Sequence, residues 1–459
     1  MRVATTVARV GYAERSDSGR QPATDGRACG FEMAGERMNS TVEASIERLD
    51  RRRVLHIWYA DYPWDVRVQK VIIGLTQAGW AVDVTARNKK SLSETEVVDG
   101  AMIHRLRPLP FAGASLDAAL SIPAFVNPRW VRHIWRVARN TRPHVILVRD
   151  LPLAPAAVWI GRLCGVPVVL DMAENYPGLL RTLWETGIAR PMDRLARSPA
   201  LAALVERWVL RQVDAIVCVI EESASRIRAL GVPERKITIV RNTPLLDDAA
   251  LQLKPRSPGD GPLVIVYLGV VERHRGVHDL VRAVAECVRR EWQVKLVVIG
   301  AGRGLRDVEN LATQLGVLGR DVELLGRLNN RQALEIVAQA NVGAIPHVPC
   351  DAWNTTIPNK LFDYMSFGLP VLTSNVRPVE RIVLEEACGV CYRSGDVSDL
   401  VDAIGRLRSA EARHRMGIAG IEAVKLKYNW GLDAGRLDQA LDRVVASRKE
   451  RARASGSTR

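Results

Sequence analysis

Two series of short apolar runs, each run followed by a helical pattern, constrain what this chain can fold into. The first series opens with Val54-Leu-His-Ile-Trp58, followed by a segment carrying Val68, Val71, Ile72 and Leu75 on one helical face. Gly79 closes that segment, and Ala81-Val-Asp-Val-Thr-Ala86 is the next run. Further strands are expected at Val145–Val148, Val166–Asp171, Ala215–Val219 and Ile237–Val240. Runs of this length, separated by helices, suit strands covered on both faces and joined by crossovers. The implied class is α/β, with mostly parallel, doubly wound sheets.

The stretch from Thr243 to Pro262, rich in Pro, Asp and Gly, interrupts the rhythm and marks a boundary. A second series follows at Leu263–Leu268, Lys295–Ile299, Val322–Leu325, Val342–Ile345 and Pro370–Thr373. Helices are expected from about His278, Arg306, Asn330 and Pro358, and a last one near Trp430 to Ala446. At 459 residues the chain accommodates two domains of about 200 residues plus tails. The expected division is a disordered tail 1–50, a Rossmann-like domain 51–244, a linker 245–262 and a second Rossmann-like domain 263–427. A C-terminal helix 428–447 and a disordered basic tail 448–459 complete it. Met33 and Met38 stand just before the first structured element, where an alternative start would fall. Two such domains leave a cleft between the carboxyl ends of their strands, where open α/β sheets bind ligands.

The net charge of +14 would suit nucleic acid, an anionic membrane surface or phosphorylated ligands. Nucleic acid is disfavoured, because the basic residues are dispersed and Phe and Tyr number only 5 and 8, too few for a stacking platform. One basic face stands out: Arg129, Arg132, Arg136 and Arg139 recur at helical spacing beside Trp130 and Trp135. It suits an anionic membrane interface or an ordinary solvated helix face. No run reaches the roughly 18 apolar residues of a membrane span, and Met1 to Arg15 has no apolar core. Together these point to the cytoplasm, with peripheral attachment to the inner membrane face. Cys388-Gly-Val-Cys391 is a lone CxxC without a second pair, and no metal site is expected from it.

The chemistry concentrates between Ile345 and Ser374, read as strand, polar loop, short helix and strand. Pro358 suits a first helical turn, and Gly368 with Pro370 suits a stop. Lys360 and Asp363 would share a face, with Asn359 beside them and Leu361, Phe362 and Met365 turned to a core. A cation at a helix start suits a diphosphate, and a carboxylate one turn on suits a ribose. A capped surface helix carrying a Lys–Asp pair fits the same spacing equally well. Gly300-Ala-Gly-Arg-Gly304 invites a dinucleotide reading, but Leu305 stands where the third glycine belongs, and Glu323 lies inside the next strand.

Pro358-Asn-Lys-Leu-Phe-Asp-Tyr-Met-Ser-Phe-Gly-Leu-Pro370 resembles the donor-site motif of GT-B glycosyltransferases, particularly glycosyltransferase family 4. Asp363 takes the place of the second glutamate in that family's Glu-x7-Glu, while Thr355 stands where the first would be. The loop after Tyr267 resembles the family's Gly-x5-Lys/Arg-Gly, with Gly269 leading it and Arg275 in the place that meets the donor diphosphate. Val270 stands where many members carry a further arginine, so that phosphate contact is either missing or supplied by Arg273. By the same resemblance Gly302 borders the nucleotide, Arg327 lies near the base, and Asn359 and Asp363 belong to the donor site. In the first half, the loop of Asp65 and Arg67 resembles an Asp-Pro-x-Arg-Val loop of some members. Asp171-Met-Ala-Glu174 resembles Asp-x-His-Glu, with Ala173 replacing the histidine, so Asp65, Arg67, Asp171 and Glu174 are expected on the acceptor side. Arg241-Asn-Thr-Pro244 resembles the hinge that ends the first domain.

The resemblance covers roughly residues 53–445 and implies a GT-B fold whose last segment crosses back onto the first domain. It implies a retaining transfer of sugar from a nucleotide diphosphate sugar to a glycan or polyprenyl-linked acceptor, in bacterial cell-envelope or exopolysaccharide biosynthesis. No cofactor is implied; Arg275 and Lys360 would take the leaving group's charge. The rival readings are a nucleotide-sugar epimerase of the same fold, which needs an acid–base constellation in the cleft, and a basic nucleic-acid-binding protein.

Overall fold

The computed structural model describes residues 51–456, except 64, 109–124, 126, 186–197 and 247–260. The segment 1–50, most of the expected linker and the final residues of the basic tail therefore lie outside the described residues. The chain divides into residues 1–51 and 52–459, and the architecture below is that of the second unit.

The first sheet has eight strands: β1 (Arg53–Asp61), β2 (Ala81–Arg87), β3 (Thr95–Val98), β4 (Ala101–Arg105), β5 (Val145–Arg149), β6 (Val168–Met172), β7 (Ala215–Cys218) and β8 (Ile237–Ile239). Their order is β3-β4-β2-β1-β5-β6-β7-β8, and only the β3–β4 pairing is antiparallel. That hairpin was not expected from the apolar pattern, because β3 is largely exposed. Its turn is Asp99-Gly100, both at positive φ (51° and 82°), the dipeptide a tight hairpin favours. Helices α1 (Val66–Gln77), α2 (Pro128–Thr141), α3 (Ala154–Cys164), α4 (Tyr176–Glu185), α5 (Pro199–Gln212) and α6 (Glu221–Ala229) intervene. Helices on both faces explain why every residue of β5 and β6 is buried, polar Asp171 included.

The second sheet comprises β9 (Leu263–Leu268), β10 (Val294–Ile299), β11 (Val322–Gly326), β12 (Val342–Ile345), β13 (Val371–Ser374) and β14 (Gly389–Tyr392). It is parallel throughout, ordered β11-β10-β9-β12-β13-β14. Strand β14 was not expected either; it contains Cys391, and burial pushes the Cys388 and Cys391 thiols up to about 12. Helices α7 (Val277–Arg289), α8 (Leu305–Gln314), α9 (Asn330–Ala338), α10 (Lys360–Ser366), α11 (Arg377–Glu385), α12 (Val397–Arg406) and α13 (Ala410–Leu426) cover the sheet. Helix α10 starts at Lys360 with Asn359 at its cap, so Pro358 stands just ahead of the first turn rather than within it.

The last helix, α14 (Trp430–Gly456), leaves the second domain and packs on the first. Trp430, Leu437, Leu441 and Val444 share one core with Val54, Val71, Trp80 and Val82. The Trp80 indole N–H donates to Asp438 at 2.7 Å, and Thr243 Oγ1 donates to buried Asp433 at 2.8 Å. The helix does not stop near Ala446: it runs on to Gly456, so the basic segment from 448 is helical where an irregular tail was expected. Nothing in that segment breaks a helix, since it lacks proline and its first glycine is Gly456.

Each sheet has one topological switch point, where neighbouring strands send their chains in opposite directions: β1/β5 in the first and β9/β12 in the second. Bonds across the seam hold the two domains together. Asn175 Nδ2 donates to Thr355 Oγ1 at 3.0 Å, Thr356 Oγ1 donates to the Ala173 carbonyl at 3.1 Å, and Arg381 pairs with Glu221 and Glu222. Asn242, in the hinge, donates to Asn359 Oδ1 at 2.8 Å.

Candidate active site

The β9/β12 switch point carries the denser cluster. After β9 the chain turns at Gly269 (φ 139°) and forms a single 3₁₀ turn, Arg273–Arg275. After β12 come His347 and the loop bearing Trp353, and α10 then delivers Lys360. The Arg275 guanidinium lies 4.1 Å from the Trp353 ring centre, and its Nη1 is 3.2 Å from His347 Nε2. Lys360 is only 8% exposed, with its Nζ 4.1 Å from the Tyr267 ring centre. Burial, then the Arg275 charge, holds this ammonium well below the usual lysine range, partly offset by Asp363. The lysine is therefore not on a solvated face, and the alternative of a surface helix with an exposed Lys–Asp pair does not describe it.

Five buried nitrogens in this corner have no hydrogen-bond partner: His274 Nδ1, Arg275 Nε, His347 Nδ1, Trp353 Nε1 and Lys360 Nζ. A buried polar group left unpaired costs about 1–3 kcal/mol, and contacts with ring faces recover only part of that. A cluster of such groups at the carboxyl ends of strands can meet an oxygen-rich, negatively charged ligand.

The glycine-rich loop after β10 backs this corner. A Cβ on Gly300 would stand 1.8 Å from the Gly269 carbonyl oxygen, and one on Gly302 would stand 2.1 Å from that of Val271. These glycines let two βα loops lie against each other, a packing role that accounts for the Gly-x-Gly without a dinucleotide.

Opposite, the β1/β5 switch point is lined by carboxylates and aromatics. Arg67 and Asp171 form a wholly buried pair, with contacts of 2.5 and 3.0 Å, and hold the ends of α1 and β6 together. Asp65 caps α1 by accepting from the Val68 N–H at 2.9 Å, and its other oxygen is 3.5 Å from Arg149 Nη2. Asp150, in a left-handed conformation (φ 59°), accepts from the Ala173 and Glu174 amides at 3.0 and 3.3 Å and thereby places Glu174. Burial raises the Asp150 carboxyl to about 6; burial and then the Asp150 charge raise Glu174 to about 7. The charges of Arg149 and Arg275 pull Glu174 the other way, so this carboxyl stands between the two clusters. Tyr59 and Tyr176 join hydroxyls at 3.1 Å beside them.

Of the residues expected at a site, Gly269, Gly302, Arg275 and Lys360 come together on one side, and Asp65 and Glu174 on the other. Arg67 and Asp171 are buried in their own pair behind that wall. Arg273, Arg327 and Asn359 are exposed: Arg273 on the same turn as Arg275, Arg327 after edge strand β11, and Asn359 at the hinge. Residues not anticipated are Arg149, Asp150, His347 and Trp353. The first three share a signal: Arg149 ends β5, Asp150 directly follows it, and His347 stands two residues beyond β12, all at switch points.

The chain matches two family models, "Glycosyl transferase 4-like domain" over residues 65–243 and "Glycosyl transferases group 1" over residues 262–409. A phosphatidyl-myo-inositol mannosyltransferase of Mycobacterium leprae is 25% identical over 398 residues, covering 84% of this chain and 96% of that one. A glycogen synthase of Mycobacterium tuberculosis is 25% identical over 315 residues, covering 68% and 71%. Among solved structures, the sucrose-phosphate synthase of Thermosynechococcus elongatus superposes with a TM-score of 0.68 at 19% identity, covering 86% of this chain and all of the other.

Proposed function

Since this chain belongs to the family 4-like glycosyltransferases of GT-B fold and uses a nucleotide-sugar donor, we propose that the transfer retains anomeric configuration and that the donor diphosphate occupies the corner between Gly269 and Lys360. The observation that carries this reading is the set of five unpartnered nitrogens around Arg275 and Lys360. As the glycosidic bond breaks, negative charge grows on the departing diphosphate. A buried ammonium and a half-buried guanidinium interact with that charge more strongly than they would in bulk solvent. The departing phosphate oxygen is the group that accepts the acceptor's proton on the same face. Asp363, half-buried in the first turn of α10, is assigned to the ribose hydroxyls, with Asn359, Arg273 and Arg327 on the rim toward the nucleoside.

The acceptor is assigned to the opposing wall. Asp65 and Glu174, with the Tyr59 and Tyr176 hydroxyls, present both hydrogen-bond acceptors and donors, which suits the hydroxyls of a sugar or polyol. A glycan or the glycan end of a lipid-linked carrier fits. The mannosyltransferase named above acts, by its name, on a lipid headgroup, which is consistent with a role in envelope or surface-polysaccharide synthesis.

Peripheral membrane attachment is part of the proposal. Helices α2, α3 and α5 lie on one face of the first sheet and contain a single carboxylate between them, Glu206, which is 2% exposed and bonded to Arg226. Arg132, Arg136, Arg139, Arg162, Arg207 and Arg211 are exposed on these helices. Between them stand Trp135 and Trp159 (each 39% exposed), Leu204 (64%) and Leu163 (75%). A cationic face with protruding aromatic and aliphatic groups suits an anionic bilayer surface. Among the described residues no helix is long and apolar enough to cross a membrane.

The test is incubation with a panel of UDP-, GDP-, ADP- and dTDP-linked labelled sugars plus a lipid extract, with the product's anomeric configuration read by NMR. Transfer with retained configuration is expected. Release of an epimerised free sugar without an acceptor product would favour the epimerase reading, and an inverted linkage would overturn the same-face mechanism.

A further inference from the structure

Stacking alone cannot aim a guanidinium. The Arg275 group lies 4.1 Å from the Trp353 ring centre, and such contact leaves rotation about the stacking axis nearly free. One in-plane hydrogen bond removes that freedom, and the structure supplies it at 3.2 Å between Arg275 Nη1 and His347 Nε2. The donor can only be the arginine, because guanidinium has no acceptor, so His347 is neutral with its proton on Nδ1. Its surroundings agree. His347 is 0% exposed, and burial, Lys360, Arg275 and His274 all hold its imidazole well below the usual histidine range. The residue is held in turn: its ring centre is 4.3 Å from that of Trp353, and its backbone carbonyl accepts from buried Ser374 Oγ.

We propose that His347 is a positioning residue for phosphate recognition: by accepting from Nη1 it sets the rotation of the Arg275 guanidinium on Trp353, so that the remaining N–H groups meet the diphosphate already oriented. It touches the arginine, not the reacting atoms. The claim rests on the donor-site assignment of Arg275 made above. Its consequence is preorganisation: the entropy of orienting a bidentate donor is lost on folding rather than on binding.

The experiment measures binding of inorganic pyrophosphate by calorimetry to wild type, Arg275→Ala, His347→Phe, His347→Gln and the double variant H347F/R275A, each first checked for a cooperative melt. Phenylalanine keeps the ring against Trp353 and removes the acceptor; glutamine places a carboxamide oxygen where Nε2 stands. R275A should weaken binding by about tenfold or more and H347F by roughly five- to tenfold, while H347Q stays within about threefold of wild type. In the double variant the phenylalanine should add nothing to the loss caused by R275A, because its effect passes through the arginine. Additive losses, an H347Q protein as weak as H347F, or an H347F protein as tight as wild type would each overturn the positioning role. If R275A alone leaves pyrophosphate affinity unchanged, the donor-site reading fails, and this proposal with it.

Discussion

Gly269 lies directly against the tip of Lys360: a Cβ at position 269 would stand 3.0 Å from the lysine Nζ, so the ammonium would have to give way by a few tenths of an ångström. The glycine also sits at φ 139°, a conformation L-residues rarely adopt. Gly269→Ala should therefore displace the ammonium and strain the turn together. Expected are a loss of roughly 1–3 kcal/mol in stability and a fall in donor affinity of about tenfold or more. Melting curves and pyrophosphate titration check both; unchanged affinity would remove Gly269 from the site.

Lys360 and Asp363 should fail in different ways. The buried ammonium is held below its usual range, so the unliganded fold disfavours its charge at neutral pH. Lys360→Met should raise the melting temperature by roughly 2–4 °C, yet lower kcat by about 10²–10³-fold, more than it raises donor KM, since the charge it meets grows as the bond breaks. Asp363→Ala should raise donor KM with kcat nearly preserved, because ribose hydroxyls change little during reaction. An Asp363→Ala protein that binds nucleotide as wild type does would redraw the donor site.

Glu174 gives a pH signature. Its folded carboxyl, raised to about 7 from 4.5, holds a proton that the unfolded chain releases earlier. The corresponding stability is present below about pH 4.5 and lost as pH rises through about 7. Glu174→Gln should match wild type near pH 4 and exceed it at pH 8 by roughly 1–3 kcal/mol in urea unfolding. A pH-independent difference between the two proteins would refute the raised carboxyl.

The Arg67–Asp171 pair makes the opposite prediction. Both partners are 1% exposed, so Asp171→Asn leaves a buried cation short of its counter-charge. Destabilisation of about 3–5 kcal/mol is expected, with activity per folded molecule much less affected. Selective loss of kcat at full stability would place Asp171 in the chemistry instead.

Arg132→Glu together with Arg136→Glu should weaken binding to anionic vesicles by about 1 kcal/mol per residue while pyrophosphate affinity stays put. Flotation with vesicles of 30% anionic lipid, at low salt, would read it; equal binding of both proteins excludes this face.

Strands β1, β2 and β5 to β13 were readable because each is a largely apolar run between glycines and helical patterns, a signal independent of the rest of the chain; β4 and β14 went unread with β3. Strand β3 was hidden, since an exposed Thr-Glu-Val-Val pairs along one side only and lacks that signature; its Asp99-Gly100 turn was the clue. Lys360 was found by its motif, but its burial was invisible, because the Tyr267 ring above it belongs to a strand 93 positions earlier. His347 and Arg149 were missed because their significance lies in strand order. Only when β9 pairs with β12, and β1 with β5, do those strand ends become the walls of a cleft. The glycines at 300 and 302 were noticed for nucleotide chemistry, whereas the close approach that requires them is between two loops.

Helix α14 has a bearing on how the protein is made. The core of Val54, Val71 and Trp80 on one face of the first sheet is closed by Trp430, Leu437 and Leu441, which leave the ribosome only after the whole second domain. At ordinary synthesis rates, roughly 10–40 s separate the completion of β8 from the arrival of its cover. During that interval the second domain can assemble around its own sheet, whereas the first must wait with an apolar surface open. In vectorial order the later domain matures first, and the nascent first domain is the part that needs shelter from aggregation.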